Sequence, residues 1–192
     1  MSATATIERK NEAQQHRRAS ELAGKYLSFQ LGKEEFAIRV TQVREIIGVQ
    51  EMTQVPQMAD YIKGVINLRG RVIPIISLRL RFHMPEEEYT QRTCIIVVET
   101  VNEQKESIQL GVVVDGVSEV LNLAPADLEE PPDFGAGKSA AYLLGMAKLK
   151  GKVKILLDLD CLLLANEVAS LQALDSAVAP GEERGSVGAK RI

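Results

Sequence analysis

Apolar and polar positions alternate with a period of two over much of this chain. In residues 25–40, "KYLSFQLGKEEFAIRV", Tyr26, Ser28 and Gln30 alternate with Leu27, Phe29 and Leu31. A turn at "GKEE" follows, and Phe36, Ile38 and Val40 then alternate with Ala37 and Arg39. That pattern predicts a hairpin of half-buried strands. The spacing changes in "VTQVREII", where Val40, Val43, Ile46 and Ile47 fall at helical intervals. With Thr41 as N-cap and Gly48 as stop, a short helix is expected there. After a loop marked by Pro56 comes "YIKGVINLRGRVIPIISLRLRF", residues 61–82, which reads as strand, tight turn and strand. Leu78, Leu80 and Phe82 are expected to point one way, with Ser77, Arg79 and Arg81 facing water. Pro74 cannot donate to a ladder and predicts an edge or bulge at that point.

The second half repeats this order. "TCIIVVE" and "SIQLGVVVDGVSEVLNL" read as strands around a polar loop, and "VDGVSEVL" matches "VTQVREII", with Val117 on Val43 and Glu119 on Glu45. "APADLEEPPDFGAGKSAA" is a long loop held extended by two consecutive prolines. Residues 142–163, "YLLGMAKLKGKVKILLDLDCLL", then repeat residues 61–82 without a gap, 142 − 61 = 81 positions later. Tyr61 falls on Tyr142, Gly64 on Gly145, Leu68 on Leu149, Gly70 on Gly151 and Leu78 on Leu159, while Arg69 and Arg71 meet Lys150 and Lys152. The correspondence implies a duplication in which each half holds about five short strands, a number that suits a small closed or partly open barrel. The expected organisation is a flexible arm (1–24), a first half (25–90), a second half (91–165), a C-terminal helix (166–178) and a flexible tail (179–192). Exchange of strands between the halves is left open by the sequence.

A chain of 192 residues with 45% hydrophobic content can bury a core in one domain or two small ones. The net charge of −3, with both signs interspersed, argues against a nucleic-acid binder, which needs a basic face. No Trp is present and aromatics make up 4%, so stacking platforms for single strands or sugars are scarce. Cys94 and Cys161, each beside aliphatics, read as thiols of a reducing compartment. The N-terminus has no apolar signal region and no run approaches the ~20 residues of a membrane span, so a soluble, cytoplasmic protein is expected.

Candidate chemistry is sparse. "GAGKSA" resembles the end of a phosphate loop, but Pro132 stands where its first glycine belongs. "DFG" at 133–135 lacks every companion motif of a kinase. Asp158 and Asp160 share one face of an expected strand and read as a solvated row. His16 and His83 have no neighbours at ligand spacing. No enzyme, metal or cofactor is expected. The unusual feature is Glu45 in the expected helix and Arg69 at the turn "NLRG", where Asn67 and Gly70 shape the bend. A Glu45–Arg69 bridge would tie helix to turn. Scaffolding alone, or a partner surface bordered by Val43, Glu45, Gly64 and Arg69, are both compatible with that pairing. Gly64 leaves room for a neighbouring backbone to come close.

Residues 61–82, "LGVVVDGVSEVL" and residues 142–163, in this order, resemble the CheW family of chemotaxis coupling proteins, over about residues 25–174. The resemblance implies a mostly β fold of two SH3-like five-stranded barrels packed over a shared hydrophobic layer. It also implies a cytoplasmic, non-enzymatic adaptor that is recruited to membrane-associated receptor arrays. Its partners would be the cytoplasmic tips of methyl-accepting chemoreceptors and the regulatory domain of the histidine kinase CheA. Ring contacts between CheW copies are a further implication, while nucleic acid and direct membrane insertion are not. By position, Val43, Glu45, Gly64, Arg69 and Cys94 would border the receptor groove, and Glu129, Pro132 and Phe134 would meet the kinase. Three features depart from the family pattern: Ser77 where Asp is usual, "HMPEEE" for a shorter turn, and Glu129 where some relatives are basic. The alternative from another class is a small-barrel nucleic-acid-binding protein.

Overall fold

The computed structural model describes residues 18–101, 107–131, 142–149 and 151–162. The expected C-terminal helix and tail, Pro132 and Phe134 lie outside them. In chain order the elements are β1 (Gly24–Leu31), β2 (Glu34–Arg39), a 3-10 turn (Val40–Gln42), β3 (Val43–Gly48), β4 (Ile62–Leu68), β5 (Arg71–Ser77) and α1 (Leu78–Arg81). The second half supplies β6 (Cys94–Val101), β7 (Ser107–Val114), β8 (Gly116–Leu123), a 3-10 turn (Pro125–Asp127), β9 (Leu128–Glu129), β10 (Leu143–Leu149), β11 (Lys152–Leu157) and α2 (Leu159–Leu162). Residues 18–22 are helical.

The fold is mostly β, as expected, in two sheets of order β8-β1-β2-β11-β10-β9 and β3-β6-β7-β5-β4. Residues 25–90 and 91–165 each contribute strands to both sheets. The hairpin β1–β2 joins the second half's β8, β10 and β11, and β6–β7 joins the first half's β3, β4 and β5. Each exchanged hairpin is held on one side by parallel pairing, β2 beside β11 through Phe36↔Ile155 and Ala37↔Leu156 and β7 beside β5 through Gly111↔Ile75 and Val112↔Ile76. On the other side the pairing is antiparallel, β1 with β8 and β6 with β3. The two-residue β9 extends the first sheet by a sixth strand.

Three apolar layers follow from this pairing. Tyr26, Ala37, Leu121, Leu123, Leu128, Ala147 and Leu156 fill one barrel. Ile66, Ile73, Ile75, Ile95, Val97 and Val113 fill the other. Between them lies the largest layer, with Leu27, Phe29, Phe36 and Ile38 from the first sheet meeting Ile96, Val98, Leu110 and Val112 from the second. Successive residues of β6 therefore face different layers, Ile95 and Val97 inward and Ile96 and Val98 toward the partner barrel. Burial on both faces explains unbroken runs such as "IIVV", since each side chain removes apolar area from water.

Two expectations are corrected. "VTQVREII" is not a helix. Only Val40–Gln42 makes a 3-10 turn, without a side-chain cap, and Val43–Gly48 pairs antiparallel with β6. Val43, Ile46 and Ile47 are β-branched and suit a pleated surface, and β6 requires a partner on that side. Local spacing is overridden by sheet completion.

The second correction concerns the ends of the repeat hairpins. β5 stops at Ser77, whose Oγ accepts from the Leu80 N–H at 3.3 Å and starts α1. Asp158 does the same one repeat later, accepting from the Cys161 N–H at 3.1 Å at the start of α2. Asp158 and Asp160 thus share no strand face. Ser and Asp are strong N-caps because their oxygens satisfy N–H groups of the first turn. Arg79, expected in water, is buried. Pro74 sits where no ladder bond is required: its register partner Val65 directs both backbone bonds to Thr53, each 2.9 Å, and β7 pairing begins only at Ile75.

Candidate protein-interaction site

The β4–β5 hairpin closes through Arg69 and Gly70, with φ of 55° and 85°. Both central residues are left-handed, the conformation whose twist matches that of the flanking strands. The Asn67 side chain accepts from the Gly70 N–H at 2.9 Å and holds the bend. Gly adopts this geometry freely, whereas for Arg69 it costs about 1–2 kcal/mol. A charged side chain held in a strained turn has to be explained by what it reaches.

Arg69 reaches across to the opposite edge of the sheet. Its Nη2 donates to Glu45 Oε2 at 2.9 Å, so the turn beyond edge strand β4 is strapped to edge strand β3. The pairing expected from sequence is present, with β3 as a strand instead of a helix. The Arg69 side chain remains 79% exposed. Ile46, which alternates to the other face of β3 from Glu45, is 45% exposed, a large apolar side chain left in water on an edge strand. Val43 is half-buried against the shared layer, as is Cys94, which pairs with Gly48 at the far end of β3. Burial pushes the Cys94 thiol above its ordinary range, against the opposing effect of a hydrogen bond with the Val117 backbone.

Gly64 has a different role from the others. At φ +132°, a Cβ here would lie 2.3 Å from the Thr53 carbonyl oxygen. The close neighbour is therefore this chain's own loop, bridged to β4 by the Thr53–Val65 bonds. Gly64 is buried and shapes the site from beneath.

A match to the model of the CheW-like domain family spans residues 25–167. The chain belongs to the CheW family. It is 37% identical over 155 residues to the chemotaxis protein CheW of Klebsiella aerogenes, covering 78% of this chain and 90% of that one. With CheW of Bacillus subtilis it shares 33% over 154 residues, or 80% and 92% of the two chains. The crystal structure of the scaffolding protein TtCheW from Thermoanaerobacter tengcongensis superposes with a TM-score of 0.66 at 29% identity, covering 76% of this chain and 96% of that one. The CheW family is one of non-enzymatic scaffolds in chemotaxis. Among the described residues no cluster of His, Cys, Asp and Glu is arranged to hold a metal, and no helix is long and apolar enough to cross a membrane.

Of the residues expected at the second surface, only Glu129 is among those described, and it lies on the other sheet. Glu129, in the two-residue edge strand β9, is exposed and accepts from Lys148 Nζ at 2.7 Å. It lines a cavity of about 700 Å³ with an apolar floor of Leu22, Leu128, Leu143 and Leu144. Glu130, at the same rim, pairs with Arg18 at 3.3 Å.

Sequence reasoning missed Ile46 and its repeat counterpart. Since 117 − 43 = 74, Ile46 corresponds to Val120, and Val120 is 58% exposed on edge strand β8. Glu119, the counterpart of Glu45, pairs with Lys154 at 3.2 Å. The repeat alignment contained the signal: a large aliphatic after the same Glu in both copies, on what proved to be two sheet edges.

Proposed function

We propose that the protein is a non-enzymatic chemotaxis adaptor that links the cytoplasmic tips of chemoreceptors to the regulatory domain of the histidine kinase CheA. The observation that carries this reading is the exposed Arg69, held in a strained turn and paired with Glu45, on an edge strand whose other face exposes Ile46. An apolar ledge with one oriented ion pair is what a helix-in-groove contact needs: area from aliphatics, register from the polar group. Val43 and Cys94 form the half-buried floor of the receptor groove, and Gly64 keeps the Thr53 loop tight against β4.

The kinase contact uses edge strand β9 of the other sheet, around Glu129, with Pro132 and Phe134 a few residues further along the sequence. The chain is cytoplasmic and reaches the membrane-associated array through its receptors, where copies also meet in rings. A nucleic-acid role is disfavoured by the net charge of −3. The test is calorimetric titration with a receptor-tip fragment and with the regulatory domain of CheA, repeated with Phe134→Ser. One-to-one binding of both at separable sites, with the variant losing only the kinase, is the expected result. Absence of heat with either partner would overturn the reading.

A further inference from the structure

Arg79 is the most deeply buried guanidinium among the described residues, its side chain 8% exposed. Its Nε donates to Asp115 Oδ1 at 2.7 Å and its Nη2 to Asp115 Oδ2 at 2.5 Å, a two-pronged pair. Nη1 donates to the Pro85 carbonyl at 3.1 Å, and Glu87 lies 2.9 Å from Nη2. Asp115 is the single residue between β7 of one sheet and β8 of the other. Its Oδ2 also accepts from the N–H of Gly32, in the β1–β2 turn, at 2.6 Å. One guanidinium from the β5 side thus holds the strand crossing and a turn of the opposite barrel.

The duplication repeats this arrangement with reversed charge. Position 79 + 81 = 160 is Asp160, which sits in α2 as Arg79 sits in α1. Asp160 accepts from the Thr100 hydroxyl, from the Val101 N–H at 3.3 Å and from Gln42 Nε2 at 3.4 Å. Gln42 lies in the 3-10 turn between β2 and β3, the other crossing between the sheets. Thr100 and Val101 end β6. Each clamp therefore joins a helical turn of one barrel to a crossing and a strand end or turn. Arg81 adds a third link, donating twice to the Leu162 carbonyl at 3.2 Å.

We propose that Arg79 and Asp160 are positioning residues that fix the two barrels at one relative orientation. An apolar layer alone is non-directional and tolerates sliding, whereas directional bonds to a charged group at both ends specify an angle: a two-pronged pair at Arg79–Asp115 and three donors converging on Asp160 Oδ1. What the orientation serves rests on the adaptor reading: a partner seated at β3 is then presented at a set geometry to one seated at β9.

The test needs neither partner. Nitroxide labels on Arg71→Cys and Lys152→Cys, in a Cys94→Ala, Cys161→Ala background, report the inter-barrel distance in pulsed dipolar measurements. One narrow distribution is expected for that background. Broadening or a second population is expected for Arg79→Met and Asp160→Ala, with Arg79→Lys between. Folded variants that keep the narrow distribution overturn the proposal; where Arg79→Met does not fold, Asp160→Ala and Arg79→Lys decide it. In unlabelled protein the affinity for each partner alone should change less than about twofold, while any coupling between the two falls by about fivefold or more. If the unsubstituted protein binds neither partner the adaptor reading fails, and the distance result still judges the clamps.

Discussion

Substituting Arg69 by glycine separates scaffold from binding surface. The Arg69–Glu45 pair is 2.9 Å long but its side chains are 79% and 27% exposed, so water screens it and its loss costs under about 1 kcal/mol. Glycine relieves a left-handed residue, φ 55°, which returns about 1–2 kcal/mol. It also adds unfolded-state freedom, costing about 0.4–1 kcal/mol. The three terms nearly cancel, so Arg69→Gly should unfold within about 1 kcal/mol of the parent, a melting shift of at most about 4 °C. Arg69→Ala, which loses the pair and keeps the strain, should be the less stable of the two. Binding behaves otherwise: an arginine that anchors a contact is worth about 2 kcal/mol or more, or about 30-fold in Kd. Urea unfolding and titration with a receptor-tip fragment measure both quantities on the same samples. A stability loss above about 2 kcal/mol for Arg69→Gly would make the pair a structural strap. An unchanged Kd would remove Arg69 from the binding surface.

Gly111→Ala places a methyl 2.5 Å from Ile75 Cδ1 and 2.6 Å from Ile95 Cγ2. The urea midpoint should fall by the equivalent of about 1–3 kcal/mol, and no change would show that the barrel core has slack. Gly64→Ala meets the Thr53 backbone at 2.3 Å, so the Thr53–Val65 bridge should open, and the Val65 amide should exchange faster by the equivalent of about 2 kcal/mol. Unaltered protection there would refute the close-approach account. For acid unfolding, burial raises the Asp115 carboxyl, but the Arg79 fork and the Gly32 amide outweigh it and hold it below its usual range. The hydrogen bond from Lys154 does the same for Glu35, against burial. Both folded-state values lie below the unfolded ones, so their stabilisation is present above about pH 4 and is lost as pH falls through the lowered values. Asp115→Asn should flatten that slope, and parallel profiles for variant and parent would exclude Asp115 as a source.

Much of the architecture was legible because a duplicated sequence constrains itself. The offset of 81 predicted matching hairpins, and the matches extend to bonds no pattern displays: the Ser77 and Asp158 amides donate to the Tyr61 and Tyr142 carbonyls at 2.8 Å in both copies. The Glu45–Arg69 pair was also legible, since opposite charges stood out among apolar neighbours. The nature of β3 was not. Val43, Ile46 and Ile47 satisfy a helical spacing and a strand edge alike, and β6 on one side decided between them. Alternation alone places Arg79 in water, because nothing local announces that Asp115, 36 residues away, completes it. Nor does alternation report the exchange of strands: when both faces of a strand are buried, apolar runs lose the period that tells one layer from another. Sequence by itself determined the β content, the repeat and the charged turn, which are local properties of spacing and residue type. The partner of each strand, the buried clamps and the sheet edges left exposed were decided only by tertiary structure, since they depend on which distant surfaces exclude water together.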